Sequence, residues 1–148
     1  MWSPPDAPAP LGPRAAAWAI DLLLTVPVPF ALYLGFATAL FSDDVPLAVA
    51  VPAVGALLLF HLLYAPVLLS RRGPHAGQTI GKRALGLRVT RPGGERLDFG
   101  RALLREVVAR SLLGLIPLYS VLDLLRPLTN DPRRAIHDSL ADTLVVRS

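Results

Sequence analysis

Two residues of opposite charge open the first apolar block of the chain. Arg14 and Asp21 stand seven positions apart in RAAAWAID, so on a helix they share nearly one face, roughly 10 Å apart along the axis. That separation is too long for a simple ion pair. Arg14 can extend to lipid phosphates, whereas a carboxylate two turns inside an apolar helix costs on the order of 3 kcal/mol to insert. Asp21 must therefore face protein or water, or carry a proton.

The second apolar block offers polar partners at the depth of Asp21. Tyr64 lies seven positions before Arg71, the same distance from the block's inner edge, and His61 lies about one turn deeper. Tyr64 and His61 are therefore the candidate partners for a polar contact of Asp21 between the two helices. The competing interpretation is that His61 and Tyr64 are packing residues without a functional role. For Asp21 the functional interpretation is favoured, because carboxylates inside membranes commonly mark ion or proton pathways.

A glycine-rich basic stretch, GQTIGKR, follows the second block. It differs from a nucleotide-binding phosphate loop, because three residues instead of four separate Gly77 from the Gly-Lys pair and Arg83 replaces the Ser or Thr that holds magnesium. We expect a cationic corner on the membrane surface. There Lys82 and Arg83 would meet lipid headgroups or a carboxylate from another segment.

A His-Asp pair near the C-terminus is the last polar motif. With three histidines and no cysteine in the chain, the pair of His137 and Asp138 does not predict a metal centre. Asp131 and Pro132 fit the start of a short helix. Asp138 could pair with Arg134 four residues earlier or reach the basic corner, and the sequence leaves both open.

The elements that carry these residues are membrane helices. Of the 148 residues 53% are hydrophobic and only 18% are charged, against about 25% charged in soluble domains. Leu22–Ser42 and Val45–Ser70 are uncharged runs of 21 and 26 residues, and about 20 residues of helix cross a bilayer. We predict an all-α integral membrane protein whose helices, about 13–41 and 46–70, form an antiparallel transmembrane hairpin. A proline-rich tail at 1–13 is expected to be disordered.

The charges orient this hairpin. Its connecting turn is acidic, whereas residues 71–105 hold nine Lys and Arg against two acidic residues. By the positive-inside rule the N-terminus and the loop 71–99 are cytoplasmic. Anionic lipid headgroups are the expected partners, without nucleic acid, because the arginines crowd next to membrane segments with no stacking aromatics. The headgroup contacts are predicted at Arg71, Arg72, Arg101 and Arg105.

The cytoplasmic loop also predicts a small β-hairpin. Leu87–Arg91 and Glu95–Phe99 flank a Pro-Gly-Gly turn, a pattern typical of paired strands. The β-branched run at Thr143–Arg147 could join them within the C-terminal motif 131–147, which would put the C-terminus in the cytoplasm.

A third apolar segment, about 100–126, contains Arg110, Pro117 and Asp123. A straight crossing would carry the following arginines outside, against the positive-inside bias. Two half-helices of about 11 residues, meeting near Pro117, are each too short to span. We favour such a Pro-kinked re-entrant segment, and a straight span stays open.

Taken together, three motifs resemble the RDD family of bacterial membrane proteins. They are Arg14-x6-Asp21, GQTIGKRALGLRV and RRAIHDSLADTLVV, in that order, and the resemblance covers residues 14–147. The family is named for an arginine and two aspartates, which correspond here to Arg14, Asp21 and Asp138, with Asp123 as the weaker candidate for the last. Where family members often show Ala-Gly-Thr, this chain has Asp142 in the middle position, which puts a glycine-type turn in doubt.

The resemblance implies a multi-pass protein of the bacterial inner membrane. A transport role has been suggested for the family, so one hypothesis is a proton-coupled transporter, or transport subunit, for a cation or small solute. Asp21, Asp138 and Arg14 would be its relay or gating residues. Two full helices cannot enclose a pathway, so a homo-oligomer or a larger membrane partner is expected. The alternative is a non-transporting anchor, assembly or accessory module in which these residues form a structural polar clasp. We expect no enzyme activity and no cofactor, since no nucleophile, metal set or cofactor motif is present.

Overall fold

The structure, a computed structural model, describes residues 8–42, 46–129 and 133–148. The first apolar block forms two helices instead of one, α1 (Leu11–Thr25) and α2 (Pro27–Ser42). They part at Val26, because Pro27 has no amide hydrogen to continue the ladder. Helical hydrogen bonds flank the interruption, from Val26 N–H to Leu22 O at 2.9 Å and from Phe30 N–H to Val26 O at 2.9 Å.

The second block is one helix, α3 (Leu47–Ser70), which contains Pro52 and Pro66 without ending at either. The stretches Leu11–Thr38 and Leu47–Ser70 are each long and apolar enough to cross a membrane. Only 6% of their most apolar windows is buried in the protein, whereas a core helix of a soluble protein is mostly buried. Their apolar surface is therefore free to face lipid. The acidic turn predicted between them lies outside the described residues.

The loop after the second block contributes one strand to a β-ribbon, but not the predicted hairpin. Strand β1 (Leu87–Thr90) pairs antiparallel with β2 (Leu144–Arg147), with Val89 opposite Val145. The prediction that residues 95–99 form the partner strand is wrong. The second edge of β1 is already taken, because Val89 N–H donates to Gly77 O at 2.7 Å. Gly77 is required there, since a Cβ on it would lie 2.2 Å from Val89 O.

The third apolar segment is broken into several helical pieces. They are α5 (Phe99–Leu103), a π-helical segment (Leu104–Leu112), one 3-10 turn (Leu113–Leu115) and α6 (Pro117–Thr129). The break falls at Ile116, which is extended, with ψ 112°. A straight helix would put Arg105 and Asp123 roughly 27 Å apart, yet the single imidazole of His137 contacts both side chains, at 3.2 and 2.6 Å. The segment therefore folds back on itself.

The packed core joins the short helices and the ribbon to α1 and α3. Helix α4 (Ile80–Ala84) packs on α1, and α5 packs on α3. The buried apolar residues that join these elements to the ribbon are Ala9, Ala17, Leu69, Leu87, Val89, Leu97, Ala102 and Val145. The short helix α7 (Ile136–Leu140) packs on the π-helical segment.

The proline-rich tail is partly ordered. Ala9 is buried and its N–H donates to Val145 O at 2.8 Å, while Pro8 forms a bridge to Val146. The prediction of disorder is therefore wrong for residues 8–13, and residues 1–7 lie outside the described chain. The reason is that β2 has a free edge, which the extended backbone at Ala9 covers. The predicted helix start at Asp131 and Pro132 also lies outside the described residues, and α7 begins at Ile136.

Candidate functional site

The carboxylate of Asp21 joins three parts of the chain. Its Oδ1 accepts hydrogen bonds from Tyr64 Oη at 3.0 Å and from Gly81 N–H at 2.8 Å, and its Oδ2 accepts from Thr79 Oγ1 at 2.5 Å. The structure thus places Tyr64 against Asp21, whereas His61 lines the neighbouring cavity without bonding to it. Three neutral donors satisfy this carboxylate.

Helix α4 approaches α1 closely because of Gly81. A Cβ on this residue would stand 2.1 Å from Ala17 O and 3.0 Å from Asp21 Cγ. Thr79 caps the same helix, since its side chain accepts from Lys82 N–H at 3.3 Å. Thr79 and Gly81, two positions apart in the GQTIGKR motif, therefore bind the start of α4 to Asp21. The side chain of Lys82 then points into the protein.

Asp138 is the centre of a second, charged cluster. Its carboxylate is fully buried, and its Oδ1 accepts from Arg105 Nη2 at 2.6 Å and from Arg105 Nε at 3.1 Å. Its Oδ2 bonds with Arg14 Nη2 and accepts from Ala135 N–H at 3.2 Å, which anchors the start of α7. Burial disfavours the ionised form, but Arg105 and Arg14 outweigh it and hold the pKa of Asp138 well below its usual range.

These contacts overturn several predictions made from the sequence. Arg14 does not extend to lipid phosphates; it binds Asp138 and donates to Arg133 O at 2.8 Å. Arg105 was predicted to contact headgroups but is 1% exposed. Arg134 does not pair with Asp138 and instead lies 3.7 Å from Asp142. A buried carboxylate is stabilised by cations that are removed from water beside it. A cation on an exposed helix face does not take their place merely because it is near in sequence.

His137 links the same cluster to α6. Its Nδ1 lies 2.6 Å from Asp123 Oδ2, and its backbone N–H donates to Asp123 Oδ1 at 2.9 Å. Its Nε2 lies 3.2 Å from Arg105 Nη2, and because a guanidinium can only donate, this nitrogen must accept and the ring is neutral. Burial lowers the pKa of His137, and Arg105 adds to this effect, although Asp138 opposes it.

The family model named RDD family matches residues 8–142, nearly the whole chain. The chain belongs to the RDD family. It is accordingly a small membrane protein, with two helices suited to crossing a bilayer. No curated protein and no solved structure matches it.

The residues assigned as the RDD arginine and aspartates occupy two adjoining clusters. Arg14 and Asp21 share a face of α1 but bind different partners, as their spacing requires. Arg14 bonds with Asp138, while Asp21 holds α4. Asp123, the weaker candidate for the second aspartate, lies beside the Asp138 cluster through His137.

The departure from the RDD pattern at Asp142 leaves the turn intact. The backbone of this residue is left-handed, with φ 50°. Thr143 N–H donates to Asp138 O at 2.8 Å, and Asp142 N–H donates to Ser139 O at 3.3 Å. Together these bonds form the glycine-type C-cap of α7. Asp tolerates this backbone region better than most residues. The doubt about a glycine-type turn is thus resolved in favour of the turn.

A cavity of about 700 Å³ is lined by residues of α1, α3, α4 and the third segment. The polar part of its wall contains residues of both clusters. It also contains charged residues that were not predicted as site residues from the sequence. In the described part of the chain no group of three or more His, Asp or Glu is arranged to hold a metal ion. The ionisable residues that line the cavity are Arg14, Asp21, His61, Tyr64, Lys82, Arg105, Glu106, Arg110, Tyr119, Asp123 and His137.

The remaining predicted basic residues lie outside this cavity. Arg71 donates through Nε to His75 O at 2.9 Å, and Arg101 donates through Nη1 to Ala141 O at 3.3 Å. Arg72 and Arg83 are exposed. Arg83 therefore points away from the site that its neighbour Lys82 enters.

Sequence reasoning missed two carboxylate-holding groups and one ion-pair network. The Thr79 hydroxyl and the Gly81 amide were read only as parts of a basic corner, although a Thr before a short helical run is a cap signal. Glu106 bonds with Arg105 and, at 3.3 Å, with Arg110. A carboxylate among arginines in an apolar segment was the available signal for that network.

Proposed function

We propose that the protein is a non-transporting membrane module in which Arg14, Asp21 and Asp138 act as a structural polar clasp. The module anchors a folded cytoplasmic unit, made of the ribbon and its short helices, to a transmembrane hairpin. The observation that carries this proposal is the coordination of Asp138. Its buried carboxylate receives donors from α1, from the third segment and from the start of α7.

Saturated carboxylates are poor proton relays. A relay must gain and lose a proton in contact with water or substrate, whereas Asp138 is fully buried and its two arginine partners favour the ionised form. Asp21 accepts three hydrogen bonds that fix both of its oxygens. Networks satisfied in this way rigidify a structure, which supports a holding role.

The proposed topology has both termini in the cytoplasm of a bacterial cell and two crossings of the inner membrane. The excess of positive charge in residues 71–105 supports this orientation. Pairing of β2 with β1 keeps the C-terminal strand beside the cytoplasmic loop. The fold-back of residues 105–123 around His137 supports a re-entrant third segment over a straight span.

Single-cysteine variants test this topology, because the chain contains no cysteine. Ser148→Cys and Ala84→Cys should react with an impermeant maleimide in inverted vesicles and not in intact cells. Leu115→Cys, at the exposed tip of the third segment, should resist the reagent on both sides if the tip lies in lipid. Labelling of Ser148→Cys from the cell exterior would reject the re-entrant topology.

A second candidate function, proton-coupled transport of a cation or small solute, is favoured by one observation. Asp21 lines a cavity that also contains Lys82, Glu106 and His61, so titratable groups surround a space large enough for a solute. Asp21 would be the relay in this case. Two crossing helices cannot enclose a pathway, so transport further requires a homo-oligomer or a larger membrane partner.

Proteoliposomes with an internal pH dye separate the two functions. The clasp predicts that folded wild-type protein moves no protons in response to a cation gradient, and that Asp21→Asn lowers its stability in detergent. Transport predicts a cation-dependent pH change that Asp21→Asn abolishes while stability is retained. Asp142→Asn makes the same chemical change at a half-exposed position and serves as the control. Proton flux from the wild type would overturn the clasp as the sole function.

A further inference from the structure

Lys82 is a buried cation whose ammonium has no hydrogen-bond or ion-pair partner among the described residues. Its side chain enters the cavity, and the residue is only 7% exposed. Its ammonium is attracted by the carboxylates of Glu106 and, less strongly, Asp21, but it bonds with neither, and the backbone N–H of the residue donates to Thr79 Oγ1. Buried charges in proteins are normally paired or bound to a ligand. The cavity therefore presents a cationic group that an anion can satisfy.

The cavity around Lys82 is amphipathic. Its wall is largely apolar, and three of its apolar lining residues are exposed, namely Trp18, Leu22 and Leu124. These side chains lie on the elements whose apolar surface faces lipid in a membrane protein of this kind. A volume of about 700 Å³ is typical of sites for medium-sized organic ligands and far exceeds the space that one inorganic anion needs.

A second cation, Arg110, lines the same cavity and is near enough to Lys82 to interact with it electrostatically. Arg110 keeps 29% of its side chain exposed, lies 3.3 Å from Glu106 and stacks 5.9 Å from the Trp18 ring. Glu106 also neutralises the buried Arg105, so one carboxylate is shared by two guanidinium groups. Lys82 and Arg110 are consequently the groups with charge left for an anion.

Asp21 and Asp123, the other carboxylates at the cavity, form no hydrogen bond and no ion pair with Lys82 in the described part of the chain. Asp21 is held by three neutral donors and Asp123 by His137. Each therefore has its own hydrogen-bond partners and needs none from Lys82.

We propose that this cavity binds an anionic phospholipid, whose phosphate pairs with Lys82 and Arg110 while its glycerol and upper acyl chains lie along Trp18, Leu22 and Leu124. An ammonium and a guanidinium are the groups that proteins use for phosphate. The apolar wall and the opening between exposed apolar side chains favour a lipid as the source of that phosphate over a soluble ion. The proposal goes beyond the clasp and does not depend on it.

The ionisation of Lys82 makes the proposed lipid binding depend on pH. Burial lowers the pKa of Lys82 to about 8, and the positive charges of Arg105 and Arg110 add to this effect. The negative charges of Glu106 and, less strongly, of Asp21 on α1 oppose it. The ammonium is present below that pH and is lost above it. Lipid selectivity should therefore weaken between about pH 7 and pH 9.

Quenching of Trp18 fluorescence by brominated lipids tests the site in nanodiscs. The chain has two tryptophans, so Trp2→Phe makes Trp18 the only reporter. Dibrominated phosphatidylglycerol should half-quench Trp18 at about a tenfold lower mole fraction than dibrominated phosphatidylcholine. Equal quenching by the two lipids would overturn the proposal.

Two variants locate the selectivity. Lys82→Met should abolish the preference for phosphatidylglycerol and, because it removes a buried unpaired charge, should not destabilise the protein. Arg83→Met loses the same charge one position away, on an exposed side chain, and should keep the preference within about twofold. Retention of the preference in Lys82→Met would reject the site.

Free phosphate separates the two sources of the anion. Sodium phosphate at 10 mM should leave the phosphatidylglycerol preference unchanged at constant ionic strength. If phosphate instead removes the preference and protects wild-type protein, but not Lys82→Met, against thermal unfolding, the site belongs to a soluble phosphate and the lipid assignment is wrong.

Discussion

Replacement of Asp138 by Asn removes the charge that holds three segments together. The carboxylate is fully buried and bonds with Arg14, Arg105 and Ala135 N–H. Asn keeps the size and one acceptor oxygen, but its amide nitrogen faces guanidinium donors. The variant therefore leaves the buried Arg105 and the partly exposed Arg14 short of negative charge while the backbone path of α7 is unchanged.

The expected loss follows from what each arginine retains. Arg105 is 1% exposed and keeps Glu106, whereas Arg14, with 10% of its side chain exposed, keeps only Arg133 O. Breaking a buried ion pair by removing one partner costs about 3–5 kcal/mol. Because Glu106 still compensates Arg105, we expect the lower end, a fall of about 3 kcal/mol in the free energy of unfolding.

Unfolding in mixed detergent and SDS micelles, followed by circular dichroism and tryptophan fluorescence, measures this difference. Asp142→Asn is the matched control, because it makes the same change four positions along on a half-exposed side chain and should shift stability by less than about 0.5 kcal/mol. If Asp138→Asn is as stable as wild type, the buried ion pairs do not hold the segments and the clasp is refuted.

The same residue gives a pH dependence of known sign. The ordinary pKa of 3.8 is lowered in the folded state, so the unfolded chain binds the proton more readily. The contribution of Asp138 is therefore fully present above about pH 4 and is lost as the pH falls below that value. Wild-type stability should decline more steeply than that of Asp138→Asn in this acid range, and equal slopes would contradict the assignment.

Three further changes test the packing around the two clusters. Gly81→Ala should lower the unfolding midpoint and loosen α4, because its Cβ would lie 2.1 Å from a backbone carbonyl of α1, while Gly55→Ala, with nothing within 4 Å, should not; proteolysis of the loop reports the difference. Asp142→Val should lose about 1–2 kcal/mol because a β-branched residue is strained at positive φ, whereas Asp142→Gly should not. Since the pKa of His137 is lowered, its stabilising effect should fade as the pH drops below about 6.5, and a fluorescence-monitored titration should show less of that loss in His137→Gln.

Local features of the sequence were enough to predict the two long apolar helices and the depth of Asp21 along the first of them. Hydropathy, helical rise and the charge of flanking segments depend on near neighbours only, so they indicated two long apolar helices and put Tyr64 level with Asp21. Local features did not predict the pairing of residues 95–99 correctly, because strand pairing depends on which edge of β1 is free. Gly77 occupies that edge, and no short-range pattern in the loop reveals it.

The partner of Asp138 was decided only by the tertiary structure. Arg134 was the nearest cation along the helix, yet Arg14, 124 positions away, and Arg105, 33 positions away, hold the carboxylate. Contacts at such separations depend on how the third segment folds back and on which cations are buried with the carboxylate. The sequence by itself thus determined that Arg14, Asp21 and Asp138 need partners, since charges in an apolar setting are costly. The fold determined that the partners of Asp138 are the buried Arg105 and the partly exposed Arg14, and that the Lys82 ammonium bonds with none of the described residues.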